Sequence, residues 1–418
     1  MHEFKYRGNE LYCEDVNISH IAASVGTPFY LYSYKTLLDH YNKLRDAFSP
    51  VRPLICFSVK SNSNLAVLRA LVKNGAGLDI VSGGELYRAR RVGADLKKIV
   101  YAGVGKRRDE IEDAVRAGIL LFNVESKEEL EEIQRIAASS RKRVNVALRI
   151  NPDVAPHTHA YVATGKGETK FGLDLETVYG IFTSHKRYPD LNIRGVHIHI
   201  GSQILDAAPF ERAIKKVLAF IKSRRISVDY FNIGGGLGII YSMEHPQTAR
   251  SFAKRVLPLL KRSGLKIILE PGRFISGNSG VLVTKVLYNK TTSRKKFVIV
   301  DSGMSDLIRP SFYEAYHSIV PVRTDRDAGR HTQKADVVGP ICESGDFLAK
   351  DRLLPPVERG DLLAVMGAGA YGFTMSSNYN SRPRAAEVMV IKGKFYVVRE
   401  RERYGDLIRG EKVPKELK

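Results

Sequence analysis

At 418 residues with 44% apolar side chains, the chain is long enough to bury a large core, and its composition excludes a disordered or low-complexity protein. The formal net charge of +21 raises the class of nucleic-acid-binding proteins, but the basic residues are spread in short clusters such as Lys106-Arg107-Arg108 and Arg141-Lys142-Arg143, with no zinc-finger or RNA-binding signature, so a solvated basic surface accounts for them. The opening Met1-His2-Glu3-Phe4-Lys5-Tyr6 lacks an apolar signal core, no stretch is long enough to cross a bilayer, and Cys13, Cys56 and Cys342 have no metal-ligand spacing; a cytoplasmic protein with no metal, membrane or nucleic acid as partner is expected.

The first strand-like run, Pro28-Phe29-Tyr30-Leu31-Tyr32-Ser33-Tyr34, stands apart from the regular pattern C-terminal to it. From about residue 36 to 274, apolar runs alternate with amphipathic segments at helical spacing, and strand candidates begin near Leu54, Leu78, Lys98, Ile119, Val144, Ile193, Val228 and Lys266. Between them lie segments such as Ser126-Lys127-Glu128-Glu129-Leu130, with a serine cap and acid in the first turn. Eight alternations predict a (β/α)8 TIM-like barrel over 36–274, against the competing open doubly wound sheet.

Five of these strands end on a polar group. Lys60 closes Leu54-Ile55-Cys56-Phe57-Ser58-Val59-Lys60, where period two puts Cys56, Ser58 and Lys60 on one face. A lysine there is either a snorkelling strand end or a partly desolvated amine able to form a Schiff base. Asp79 sits between aliphatic residues before Ser82-Gly83-Gly84, Arg149 lies opposite Val144, Val146, Leu148 and Ile150, His197 shares a face with His199, and Lys266-Ile267-Ile268-Leu269 ends in Glu270. Repetition of this ending favours the functional reading, because the last inward residue of a barrel strand reaches the C-terminal mouth. The long departure Asn151 to Phe171, rich in Gly, Pro and Thr, reads as a loop at that mouth of the kind that forms lids.

Gly234-Gly235-Gly236-Leu237-Gly238 follows the seventh strand and does not fit a dinucleotide fingerprint; a glycine run after strand seven suits an anion such as phosphate, and Glu270-Pro271-Gly272-Arg273 stands at the adjacent mouth. After Gly277 the runs Val281 to Tyr288, Phe297 to Val300 and Ala385 to Ile391 are β-rich. They predict a mostly antiparallel β domain of residues 275–418 that also takes in 1–35, including the Pro28 to Tyr34 strand.

A lysine amine, a flat histidine, a carboxylate and a phosphate loop around one mouth suit pyridoxal phosphate. The chain resembles the fold-type III (alanine-racemase-like) pyridoxal-phosphate decarboxylases and, within them, the diaminopimelate decarboxylases. The resemblance covers nearly the whole chain: Gly26-Thr27-Pro28-Phe29-Tyr30, Val59-Lys60-Ser61-Asn62, Gly77-Leu78-Asp79 through Glu85-Leu86, Asn151-Pro152-Asp153 with Lys170-Phe171-Gly172, and His197 through Gln203. It continues through the glycine loop, Glu270-Pro271-Gly272-Arg273, Asp306-Leu307-Ile308-Arg309-Pro310, Gly339 through Asp346, and Gly369-Ala370-Tyr371-Gly372. Phe57-Ser58 and Ser61 depart from the family's usual residues without removing a functional group.

The resemblance implies decarboxylation of meso-2,6-diaminopimelate to L-lysine and carbon dioxide, the last step of lysine synthesis. It assigns Lys60 to the cofactor's covalent attachment, Glu270 to the pyridine nitrogen, His199 to the ring face, and Asp79 and Arg149 to orienting neighbouring groups. Ser202, Gly235, Gly236 and the Gly272-Arg273 backbone fall to the phosphate, and Tyr371 to phosphate or substrate. Arg273, Arg309 and Tyr313 would hold the substrate's far carboxylate and Glu343 its ammonium, while Cys342, a proton donor, would act in the partner subunit's site of a homodimer. Glu270 speaks against a racemase, which resembles its relatives in placing arginine at that nitrogen, and Arg309 with Tyr313 speaks against ornithine, arginine or carboxynorspermidine decarboxylases. The retained Lys60 speaks against an inactive regulator, and a basic nucleic-acid-binding protein is the remote alternative.

Overall fold

In the computed structural model, which describes residues 2–154, 170–324 and 332–417, eight parallel strands close into a barrel. They are β1 (Leu54–Ser58), β2 (Gly77–Ile80), β3 (Ile99–Tyr101), β4 (Leu121–Val124), β5 (Val144–Arg149), β6 (Leu191–His197), β7 (Tyr230–Asn232) and β8 (Lys266–Leu269). Neighbours in sequence are neighbours in the barrel, and β8 closes on β1 through Ile268 beside Leu54. Each strand begins within two residues of its expected start; Ile119 and Val228 fall just before Leu121 and Tyr230, where strands four and seven open.

The helices form for local reasons. Ser126 accepts from the Glu129 N–H at 3.1 Å and caps Lys127–Ser139, in which Leu130, Ile133, Ile136 and Ala137 are buried on one face against β4 and β6. In the basic cluster before an earlier helix, Arg107 and Arg108 are exposed as expected, and Lys106 departs from that expectation. Lys106 has no exposed side chain, and its Nζ bonds Glu129 Oε1 (2.6 Å) and the carbonyls of Gly103 (2.8 Å) and Asn123 (2.9 Å). It therefore pins the turn after β3 to the end of β4 and to the capped helix.

The departure after β5 begins and ends on a tie. Leu173 donates to Arg149 O at 2.7 Å and Asn151 to Leu173 O at 2.8 Å, which brings the ends of the excursion together. Of the expected lid, Asn151 to Phe171, residues 155–169 lie outside the described residues.

The chain divides into two compact units, Leu37–Gly277 with the barrel, and Met1–Thr36 with Asn278–Lys418. In the second, the wholly buried strand Phe29–Ser33 runs antiparallel to Gly280–Thr291 and parallel to Ala386–Ile391. Its alternation explains its place. Phe29 and Leu31 join Val281, Val283, Val388 and Val390 in the core, while on the other face Tyr30 donates to Asp306 O (2.5 Å) and Tyr32 to Glu387 Oε1 (2.7 Å). Most pairings of this sheet are antiparallel; a second parallel one joins Lys296–Val300 to Gln333–Val338.

Candidate active site

Cys56, Val100, Leu121 and Ile268 form an apolar plug inside the barrel, with Leu54, Leu120 and Tyr230 packed against it. Residues two apart on a strand share a face, so Ser58, Asn123, Asn232 and Glu270 stand one step nearer the mouth than Cys56, Leu121, Tyr230 and Ile268. The polar layer bonds to itself. Glu270 Oε1 accepts from Asn123 Nδ2 (2.8 Å) and Asn232 Nδ2 (2.5 Å), and Oε2 lies 3.1 Å from His197 Nε2. Burial works to raise the Glu270 carboxyl, but the charge and hydrogen bond of His197, the Lys60 charge and the Asn232 amide overcome it and hold the group at about 2.

Asp79, fully buried, goes the other way. Desolvation, reinforced by the Glu270 charge, lifts it to about 8 against the pull of Lys60, whose Nζ is 3.8 Å from Oδ2. Two carboxyls in one low-dielectric pocket thus divide into one charged and one protonated. The Ser58 hydroxyl lies 2.6 Å from Asp79 Oδ2 and 3.1 Å from the Glu270 carbonyl; it has one hydrogen, and a protonated Asp79 supplies the second that these contacts need. Asp79 Oδ1 is buried with no hydrogen-bond partner among the described residues.

Lys60 is not the last residue of its strand. β1 ends at Ser58, and Val59–Ser61 form a 3₁₀ turn closed by the Ser61 hydroxyl on Ser58 O at 2.7 Å. This local bond diverts the backbone from the ladder, so the turn, and not strand period, sets the amine beside Asp79 with 39% of its side chain exposed. His199 likewise lies past the end of β6. Burial, with the Lys60 and Arg149 charges, lowers its pKa well below the usual range, and the Gly235 N–H donates to its Nδ1 at 3.3 Å. A neutral ring with an occupied Nδ1 lone pair carries its proton on Nε2.

The glycine loop has a packing reason of its own. A side chain at 235 would place Cβ 2.1 Å from Glu270 O, and one at 236 would place it 2.2 Å from Gly201 O. Only glycine lets this loop lie against the neighbouring strand ends, whatever else its N–H groups do. Beside it, Arg273 donates through Nε (3.3 Å) and Nη2 (3.1 Å) to Ser202 Oγ and through Nη1 to Tyr241 OH (2.6 Å). Ser202 and Arg273, read separately from sequence, are thus one hydrogen-bonded group. Arg149 is paired with Glu125 at 2.5 Å, both nearly buried, and Glu125 Oε2 also accepts from Gly172 N at 3.0 Å. Arg149 therefore acts on the ends of the loop excursion.

The barrel mouth holds Lys60, Asp79, Arg149, His199, Ser202, Gly235, Gly236, Glu270, Gly272 and Arg273, all within one unit. Arg309, Tyr313, Cys342, Glu343 and Tyr371 belong to the other. There the buried Arg309 opens the short helix Arg309–Tyr313, its guanidinium 5.8 Å from the Tyr313 ring, and Ser311 Oγ donates to Gly345 O (2.5 Å) in the loop of exposed Cys342 and Glu343. Asp346 Oδ1 accepts from Met304 N and Oδ2 from Ile341 N, each at 2.6 Å, and Asn380 Oδ1 accepts from Cys342 N at 3.1 Å, so this loop has fixed anchors. Tyr371 sits at φ +57°, in the left-handed region.

Sequence reasoning missed Asn123, Asn232, Glu125 and Tyr241, and gave His197 no role. The signal for the two asparagines was ambiguous: each is a short amide at the inward position after an apolar one, a pattern that also opens turns. Among the described residues no group of three or more His, Cys, Asp or Glu is arranged to hold a metal, and no helix is long and apolar enough to cross a membrane.

The chain is similar to known proteins over nearly its whole length. Residues 34–277 match the family model for the pyridoxal binding domain of pyridoxal-dependent decarboxylases. The diaminopimelate decarboxylase of Aquifex aeolicus is 47% identical over 408 residues, covering 97% of this chain and 96% of the relative. Among solved structures, the diaminopimelate decarboxylase of M. jannaschii in complex with L-lysine is 36% identical with a TM-score of 0.94, covering 99% of this chain and 98% of that one. The Helicobacter pylori enzyme complexed with L-lysine is 40% identical with a TM-score of 0.90, covering 94% and 98%.

Proposed function

The chain belongs to the pyridoxal-dependent decarboxylases and, within them, to the diaminopimelate decarboxylases; from that membership we propose how its own residues divide the work. Its activity is the pyridoxal-phosphate-dependent decarboxylation of diaminopimelate. The barrel mouth fits the cofactor: a partly exposed amine stands beside the buried Asp79 carboxyl, whose Oδ1 lacks a hydrogen-bond partner among the described residues, and a second carboxylate stays ionised in a buried pocket. When bound, the cofactor supplies an electron sink for the carbon that loses carbon dioxide.

Lys60 is the attachment point. Glu270 keeps a ring nitrogen protonated, because an anion already fixed by three donors needs no reorganisation to hold that proton. His199, neutral and flat, would lie against the ring face, and Asp79 and Arg149 would orient their neighbours. Ser202, Gly235, Gly236 and the backbone at Gly272 and Arg273 hold the phosphate, with Tyr371 completing phosphate or substrate contacts. The substrate is the meso isomer, whose unreacted end carries a carboxylate and an ammonium. Arg273, Arg309 and Tyr313 take the carboxylate by charge-assisted bonds, and Glu343 takes the ammonium. Cys342 would serve as a proton donor in the partner's site of a homodimer.

The observation that carries this reading is the ionised Glu270 with its three donors, which suits decarboxylation and not racemisation. The test is to incubate the purified, cofactor-loaded protein with meso-diaminopimelate and measure lysine and carbon dioxide. Equal amounts of both are expected, and epimerisation without carbon dioxide would overturn the reading.

A further inference from the structure

Arg309 is buried, and the acceptor at its Nε is a histidine. Arg309 Nε donates to His317 Nε2 at 3.3 Å. His317 is fully buried, and its other ring nitrogen, Nδ1, lies 2.8 Å from the carbonyl of Met366. A carbonyl only accepts, so Nδ1 carries the proton; a lone pair facing the guanidinium requires Nε2 to be bare. The ring is thereby fixed as a neutral imidazole in one tautomer. Its backbone is fixed as well, since Arg352 Nη1 donates to His317 O at 2.7 Å while stacking 3.8 Å over the Tyr316 ring.

A carboxylate at this position would orient Arg309 and also cancel its charge. A neutral imidazole orients it without itself cancelling that charge. We propose that His317 is a positioning residue that sets the substrate preference of Arg309: it holds the guanidinium by Nε so that the terminal nitrogens meet a ligand carboxylate. This deepens the reading above and rests on Arg309 as the carboxylate holder.

Two ligands separate the effects without turnover. L-lysine, which remains when diaminopimelate loses one carboxylate, retains the far carboxylate; 1,5-diaminopentane is the same molecule without it. The ratio of their affinities for the cofactor-loaded protein, measured by calorimetry, reads the carboxylate contact alone. His317→Asn keeps a donor for Met366 O but has no acceptor at the Nε2 position, whereas His317→Gln can place an oxygen there. His317→Asn is expected to lower the lysine-to-diaminopentane ratio by roughly tenfold, the effect of one misplaced charge-assisted bond, and His317→Gln to restore most of it. An unchanged ratio in His317→Asn, or equal losses in both variants, would overturn the proposal. Arg309→Met serves as the reference: if it also leaves the ratio unchanged, Arg309 is not the carboxylate holder, whereas a fall there with none in His317→Asn sinks only the role of His317.

Discussion

Glu270 and Asp79 share a pocket and titrate in opposite directions, which makes their replacements distinguishable. Glu270→Gln keeps the shape and loses the charge, so turnover should fall by roughly 10²–10³ with little change in the Michaelis constant; the reverse pattern in steady-state kinetics would deny the carboxylate its role. For Asp79 the sign runs the other way. Its folded pKa is raised from 3.8 to about 8, so between those values the folded state holds a proton that the unfolded state has released, and stability falls as pH rises through that window. Asp79→Asn mimics the protonated form, so the variant's melting temperature relative to wild type should climb from pH 5 to pH 8 in cofactor-free protein. Lys60 and Glu270 were legible in the sequence because a charge at the end of an apolar run is costly to desolvate and is rarely kept there without a use. Asn123 and Asn232 were not, since a lone amide near a strand end also reads as the start of a turn. His197 stood in plain view beside His199, but period two could not say which of them faces a carboxylate.

Among the elements, the barrel strands were readable from alternation alone, while the features that place side chains at the mouth were not. The turn at Val59–Ser61 depends on one serine hydroxyl, and the burial of Lys106 depends on two carbonyls and Glu129 converging from separate segments. Neither leaves a periodic trace. Lys106→Met should cost about 3–5 kcal/mol in denaturant unfolding, because it strands a buried carboxylate, and Lys106→Met combined with Glu129→Gln should recover part of that loss. In the β unit, strand existence was legible but direction was not: the run Phe297 to Val300 looks the same whether its neighbour is parallel or antiparallel. Leu31→Ala, in the strand buried on both faces, should destabilise that unit by about 2–5 kcal/mol, read as a lowered denaturant midpoint.

At the scale of the whole molecule, the proposed homodimer predicts complementation. Lys60→Ala and Cys342→Ala proteins, each nearly inactive alone, should recover about a quarter of wild-type activity after subunit exchange, because mixed dimers carry one intact and one doubly damaged site. Failure to recover, with exchange confirmed by differently tagged chains, would place both residues in one subunit's site. The strand Phe29–Ser33 has a further consequence, for synthesis. Its partners Gly280–Thr291 and Ala386–Ile391 leave the ribosome long after it does, so at about 5–20 residues per second it waits tens of seconds with an unpaired apolar edge. The segment from 37 to 277 can fold within that interval, so vectorial translation lets the N-terminal strand find its place only after a segment that lies C-terminal to it. A stalled or truncated product ending near residue 277 would release that edge uncovered, an exposed template for chaperone capture or for aggregation.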